Sequence, residues 1–100
     1  MRHCRTLFFV AIEFNPVKDA ANIEIHGISL AIADRLLAGF TVEWIDDRID
    51  YGETRVIALG EIDGLEFVCI YTMRGENHRP ISLRRAKRKE RDVYRQAKGR

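Results

Sequence analysis

Past Gly39 the hydrophobic pattern changes period, and the Asp63-Gly64 pair fixes how the second half must turn. "FTVEWI" alternates, "ETRVIALGEI" reads as a longer extended run, and "LEFVCIYTM" follows the Asp-Gly dipeptide directly. Two apolar runs separated by Asp-Gly are a strong signal for a tight hairpin, because both central residues of such a turn take positive φ. Three antiparallel strands are therefore expected between Gly39 and Met73. The stretch before them has a different grammar. In "NPVKDAANIEIHG", Asn15 suits a helix cap, Pro16 the first helical position and Gly27 the stop, with Val17, Ala20, Ala21 and Ile25 on one face. "SLAIADRLLAG" repeats that pattern with Ser29 and Gly39, so two short helices are expected side by side. The apolar "LFFVAIEF" near the start predicts a further extended segment rather than a targeting signal, since its apolar core is short and Glu13 follows.

The end of the chain is the most polarised part. Residues 1–78 carry seven Lys/Arg against thirteen Asp/Glu, whereas residues 79–100 carry ten Lys/Arg against Glu90 and Asp92 alone. Such a separation directs positive potential to one end and points to a polyanionic partner. A helix is expected from Ser82 to Lys98, docking by Leu83, Ala86, Val93, Tyr94 and Ala97 and showing Arg and Lys elsewhere. Pro80 cannot donate to a ladder, so a strand between His78 and Ile81 should lie at an edge or be short. These elements make an α+β domain over residues 1–100: two N-terminal helices, an antiparallel β-sheet and a basic C-terminal helix. Residues 1–11 form a possible extra N-terminal strand or extension. Cys4 and Cys69 have no metal-ligand spacing, which fits a reducing cytoplasm, and no window approaches the length of a membrane span.

Several groups carry chemical potential. Asp46, Asp47, Asp50 and Glu53 crowd a Tyr-Gly turn with Arg48 and Arg55; their spacing matches no established metal loop, and a solvated turn with internal ion pairs is the expected reading. His26 stands before the Gly27 stop, where a helix C-terminus favours a cation. His78 lies between Arg74 and Arg79. Arg74, Arg79 and Arg84, with Arg85 and Arg88 behind them, present guanidinium forks matched to phosphate oxygens. Metal-independent RNA cleavage needs the 2′-hydroxyl as nucleophile, proton carriers and cations for the charge that builds on phosphorus. A basic C-terminal helix also suits a solvated face or a protein dock. Trp44 is expected to pack; Tyr51 and Tyr71 are capable of stacking on bases.

Separated pieces of the chain also resemble one family. Arg48, Asp50, Tyr51, Gly52, Glu53 and Arg55 are followed by Tyr71, Thr72, Arg74, Gly75 and Arg79, then Ile81-Ser82, Arg84-Arg85-Ala86 and the "RKER" run to Tyr94; Glu13, Lys18, Asn22, His26 and Gly27 precede them. This order is similar to the BrnT family of type II toxins. Phe14, Asn15, Ile25, Pro80 and Leu83 depart from its usual residues. The resemblance implies a RelE-like fold with a curved antiparallel sheet, and a cytoplasmic, metal-independent endoribonuclease toxin that inhibits translation without a cofactor. It also implies a BrnA-like antitoxin with a ribbon-helix-helix DNA-binding domain, with DNA engaged only through that complex. The expected roles on this chain are catalytic for His26, Arg74, His78, Arg79 and Arg84, and RNA-binding for Lys18, Arg48, Arg55, Tyr71, Arg85 and Arg88. The alternatives are a non-catalytic module that binds nucleic acid or antitoxin, and an inactive family member kept as an antitoxin scaffold.

Overall fold

The computed structural model describes residues 10–99. Helix α1 spans Pro16–His26, a 3-10 turn at Leu30–Ile32 runs into α2 (Ala33–Ala38), and four strands follow: β1 Val42–Ile45, β2 Val56–Ile62, β3 Leu65–Arg74 and β4 Asn77–Arg85. Helix α3, Arg88–Lys98, ends the chain. The sheet is antiparallel throughout, in the order β1-β2-β3-β4. Asp63 and Gly64 take φ of 52° and 82°, the paired positive values that the Asp-Gly hairpin requires.

Strand alternation gives the sheet two unlike faces. On one face Ala58, Ile62, Phe67, Cys69, Tyr71 and Leu83 pack against Leu30, Ala33, Leu36 and Leu37, forming the main core. Gly60 lets α2 come close: a Cβ there would sit 2.8 Å from Leu36 Cγ. On the other face Leu59, Val68, Ala86 and Tyr94 form a smaller cluster under α3. Tyr94 Oη donates to Phe40 O at 3.0 Å, and the Arg95 guanidinium makes a bidentate contact with the buried Glu66 carboxylate, 2.7 and 3.2 Å. These bonds pin α3 over the β2–β3 hairpin end of the sheet, and among the described residues the opposite half of that face is left uncovered.

Two sequence expectations change. Residues 82–85 continue β4 rather than opening a helix, because Leu83 enters the core opposite Cys69 and the ladder runs on to Arg85 opposite Phe67. The strand lies at the edge, as Pro80 required, and runs nine residues, with a register shift beside Pro80 absorbing the irregularity. Helix α1 is rotated away from its expected packing: Val17 and Ile25 are exposed, and Asn22 is the residue it buries. Asn22 Nδ2 donates to Leu83 O (2.9 Å) and Ile28 O (2.8 Å), while its Oδ1 accepts from Leu83 N (3.2 Å). The amide thus completes the outer edge of β4, and satisfying those backbone groups outweighs burial of the apolar stripe. Further along the same edge, His78 N donates to Ala11 O (2.9 Å) and Glu13 N to His78 O (3.0 Å). Most of the N-terminal extended stretch lies outside the described residues; within them it is a single parallel bridge, Ile12 to His78.

Candidate nucleic-acid interface

The uncovered half of the α3-bearing face is bounded by charge. Parity places Ile57 and Ile70 on its floor beside Trp44, which is 43% exposed rather than packed away. At the β3–β4 hairpin end, Arg74 and Asn77 close the ladder and Arg79 lies two residues on, on the same face as Asn77. The bridge at Ile12 turns Ile12 and His78 toward the core and sends Glu13 to the opposite side with Arg79. There Asn77 Nδ2 donates to Glu13 Oε1 at 3.0 Å, and Arg79 Nη1 donates to Oε2 at 3.2 Å. The Asn77 hydrogen bond, reinforced by the charges of Arg79 and Arg74, holds the Glu13 carboxyl below the usual glutamate range.

At the other border, Arg84 reaches the first turn of α3. Its Nη1 and Nη2 donate to Glu90 Oε1 and Oε2 at 2.9 and 2.8 Å, and Glu90 Oε1 also accepts from Lys87 N at 2.6 Å. This capping arrangement satisfies the helix start and fixes the guanidinium. The Glu90 carboxyl is lowered, chiefly by the Arg84 hydrogen bonds. Lys87 and Arg88 stand exposed beside it. The arrangement offers a phosphate chain guanidinium groups at two borders and a half-open aromatic between them.

A family profile described as the ribonuclease toxin BrnT of type II toxin-antitoxin systems matches residues 14–90. The chain belongs to the BrnT family. A search among curated proteins finds no match. BrnT membership brings ribonuclease activity as the family's description, together with an RNA substrate and an antitoxin partner. The BrnT match takes in Arg74, Asn77, Arg79, Arg84 and Glu90, and stops one residue short of Glu13.

Within this BrnT chain the residues singled out by sequence fall into separate groups. Arg74, Arg79 and Arg84 share the open face. His78 does not: its ring lies 4.9 Å from that of Tyr71 on the core side, with Nδ1 buried and unpartnered among the described residues. Tyr71 donates to Glu43 Oε1 at 2.7 Å, and burial, then that bond, raise its phenol well above the usual range. Lys18 and His26 are exposed on α1, in line with Asn22 at four-residue spacing. Arg48 is bound to Asp46 (2.7 and 2.8 Å), and Arg55 lies 4.0 Å over the Tyr51 ring while pairing with Glu53, so the acidic turn is internally paired as expected. Arg85 lies on the core-side parity, 5.4 Å over Phe67. Among the described residues, no group of three or more His, Cys, Asp or Glu side chains is arranged to hold a metal ion. Sequence reading gave no site role to Glu13, Asn77 or Glu90. Asn77 and Arg79 are two apart on one strand, which was a usable signal; Glu13 reaches them only through long-range pairing.

Proposed function

We propose that this BrnT protein is a metal-independent endoribonuclease that cuts RNA across the open half of the sheet and thereby inhibits translation. The observation that carries this reading is the placement of Arg74, Arg79 and Arg84 on one uncovered face. A 2′-hydroxyl attacking its own phosphate builds negative charge on the non-bridging oxygens, and guanidinium groups already fixed by Glu13 and Glu90 meet that charge with little reorganisation. Trp44 provides a stacking surface beside them, and Lys18, Arg55 and Arg88 extend the positive path for the strand, whereas Arg48 is spent on Asp46 and Arg85 lies toward the opposite face. Of the two candidate histidines, His78 is withdrawn from the open face, because its ring lies with Tyr71 beneath the opposite one, while His26 stays exposed on α1. Tyr71 supports the sheet rather than the substrate, given its bond to Glu43.

The family's antitoxin partner is, in this reading, BrnA-like with a ribbon-helix-helix domain, so that DNA is reached only through the complex, and the setting is cytoplasmic. RNA digestion in EDTA tests the nuclease. Wild type is expected to give discrete products ending in 2′,3′-cyclic phosphate, with cleavage lost in a folded Arg79→Ala variant. Intact RNA beside folded wild type would sink it. The competing reading, a binding module without chemistry, draws on the carboxylate partners that Arg79 and Arg84 already hold. It expects salt-sensitive RNA retention with no product.

A further inference from the structure

We infer that Glu13, one residue outside the family-matched segment, is the general base that takes the proton from the attacking 2′-hydroxyl. This assignment rests on the metal-independent cleavage reading and adds to it the residue that starts the reaction. Four carboxylates of the described chain are engaged by arginine and have a clearly lowered pKa: Glu13, Asp46, Glu66 and Glu90. Three of them are filled or closed off. Asp46 accepts from Arg48 and from Tyr51 with its side chain 1% exposed, Glu66 is clasped by Arg95 at 8%, and Glu90 carries both Arg84 nitrogens and the Lys87 amide. Glu13 is different. Each of its oxygens accepts one hydrogen bond from a described side chain, the side chain is 39% exposed, and it opens onto the face that carries Arg74 and Arg79. A carboxylate oxygen has two lone-pair sites, so a lone pair on each remains for a substrate proton.

Arg79 supplies the second half of the geometry. It commits Nη1 to Glu13, leaving its other N–H groups free, among the described residues, to donate to a phosphate oxygen. One guanidinium then holds the base and the scissile phosphate side by side, with Arg74 adding charge from the hairpin end. Asn77 fixes the other carboxylate oxygen and so limits the rotation of Glu13. The reaction balances without a further reagent. The 2′-oxygen forms its bond to phosphorus as its proton passes to Glu13; the bond from phosphorus to the 5′-oxygen breaks, and that oxygen takes a proton from water. The products are a 2′,3′-cyclic phosphate and a 5′-hydroxyl, and Glu13 returns its proton to solvent.

The charged groups that face Glu13 are Arg74 on β3 and Arg79 on β4, and both act to keep it ionised. The test compares Glu13→Gln and Asn77→Ala with wild type on a short RNA, following kcat, kcat/KM against pH, and binding of the same oligonucleotide carrying 2′-deoxyribose at the cut site. Glutamine keeps an oxygen for Arg79 but cannot accept the proton. Glu13→Gln should therefore lower kcat by about 10²- to 10⁴-fold while binding of the uncleavable strand changes only a few-fold. Asn77→Ala removes the largest influence lowering the Glu13 pKa, so the acidic limb of its kcat/KM profile should move to higher pH; a residue that only positions Arg79 would not shift that limb. Glu13→Gln that cleaves within a few-fold of wild type, or an acidic limb that stays put in Asn77→Ala, overturns the assignment. Wild type that cuts no RNA removes the cleavage reading itself, and is seen before either variant is compared.

Discussion

Asp46 and Glu13 each meet an arginine and one further side-chain donor, yet the two groups are built in opposite senses. At Asp46 the carboxylate is sunk, 1% exposed, and Arg48 closes over it from solvent at 67%. Arg48 Nε and Nη2, the Arg48 amide and Tyr51 Oη all donate to it. Those partners lie within five residues, so the knot locks its own turn. At Glu13 the carboxylate is the more open member, 39% against 22% for Arg79, and its partners come from the far end of the chain. One arrangement spends every acceptor on local order; the other leaves acceptors and a guanidinium edge for something not yet bound. The same kind of ion pair is thus closed in one place and partly open in the other, and burial of the carboxylate separates them.

The sharpest way to break that comparison is to remove the two arginines in turn. Arg79→Ala should lower RNA cleavage by about 10²- to 10³-fold, as expected for loss of a preorganised charge at the transition state, with the urea midpoint scarcely moved. Arg48→Ala should do the reverse: cleavage stays within a few-fold, while the urea midpoint falls because the buried Asp46 carboxylate keeps only the Tyr51 hydroxyl and an amide. Equal losses of cleavage in both variants would erase the distinction.

A closed region away from both pairs provides the stability benchmark. Asn22→Ala leaves the Leu83 amide and carbonyl without their partner along a buried edge and should cost about 3 kcal/mol in urea unfolding. Its consequence reaches Cys69, which pairs with Leu83 in the ladder. Burial pushes that thiol up to about 12. Alkylation at pH 8 in a Cys4→Ser background should therefore wait on opening of the fold, and Asn22→Ala should speed it by about 100-fold, the equivalent of that loss of stability. Unchanged labelling would show that α1 opens independently of the sheet.

How much of this was legible follows from the range over which each feature is decided. The Asp63-Gly64 turn and the Asn15 and Gly27 ends of α1 are local decisions, and their residue types announce them. The rotation of α1 is not local. Val17, Ala20, Ala21 and Ile25 make an apolar stripe by spacing, but the hydrogen bonds Asn22 donates to Leu83 O and Ile28 O and accepts from Leu83 N decide which side meets the sheet. Composition misled at Ser82–Arg85, where arginine-rich sequence reads as helix although an edge strand tolerates outward charge, and Leu83 alone marks the inward side. The grouping of Arg74, Arg79 and Arg84 along one short stretch was readable in the sequence, and a phosphate-binding role for them is the proposal above. Its geometry turned on parity: His78 and Arg79 are neighbours in sequence and therefore point to opposite faces.

The smallest expected effect concerns acid, where the fastened carboxylates should behave alike despite their different places. Glu66 is held below the glutamate range chiefly by its hydrogen bonds from Arg95, and Asp46 below the aspartate range chiefly by Arg48. A carboxyl with a lower pKa in the folded than in the unfolded state binds fewer protons when folded, so its contribution is fully present above the unfolded pKa and is lost as pH falls toward the folded one. The urea midpoint should accordingly hold steady near neutrality and decline below about pH 5, where unfolded glutamates begin to take protons. Glu66→Gln should lower the neutral midpoint, because the Arg95 pair is weakened, and should flatten the acid decline by one group's share. Glu13→Gln, made at an open carboxylate, should flatten it less. If Glu13→Gln removed the larger share, Glu13 would be a fastening like Asp46, and the separation between the closed pair and the open one would fail at its thermodynamic end.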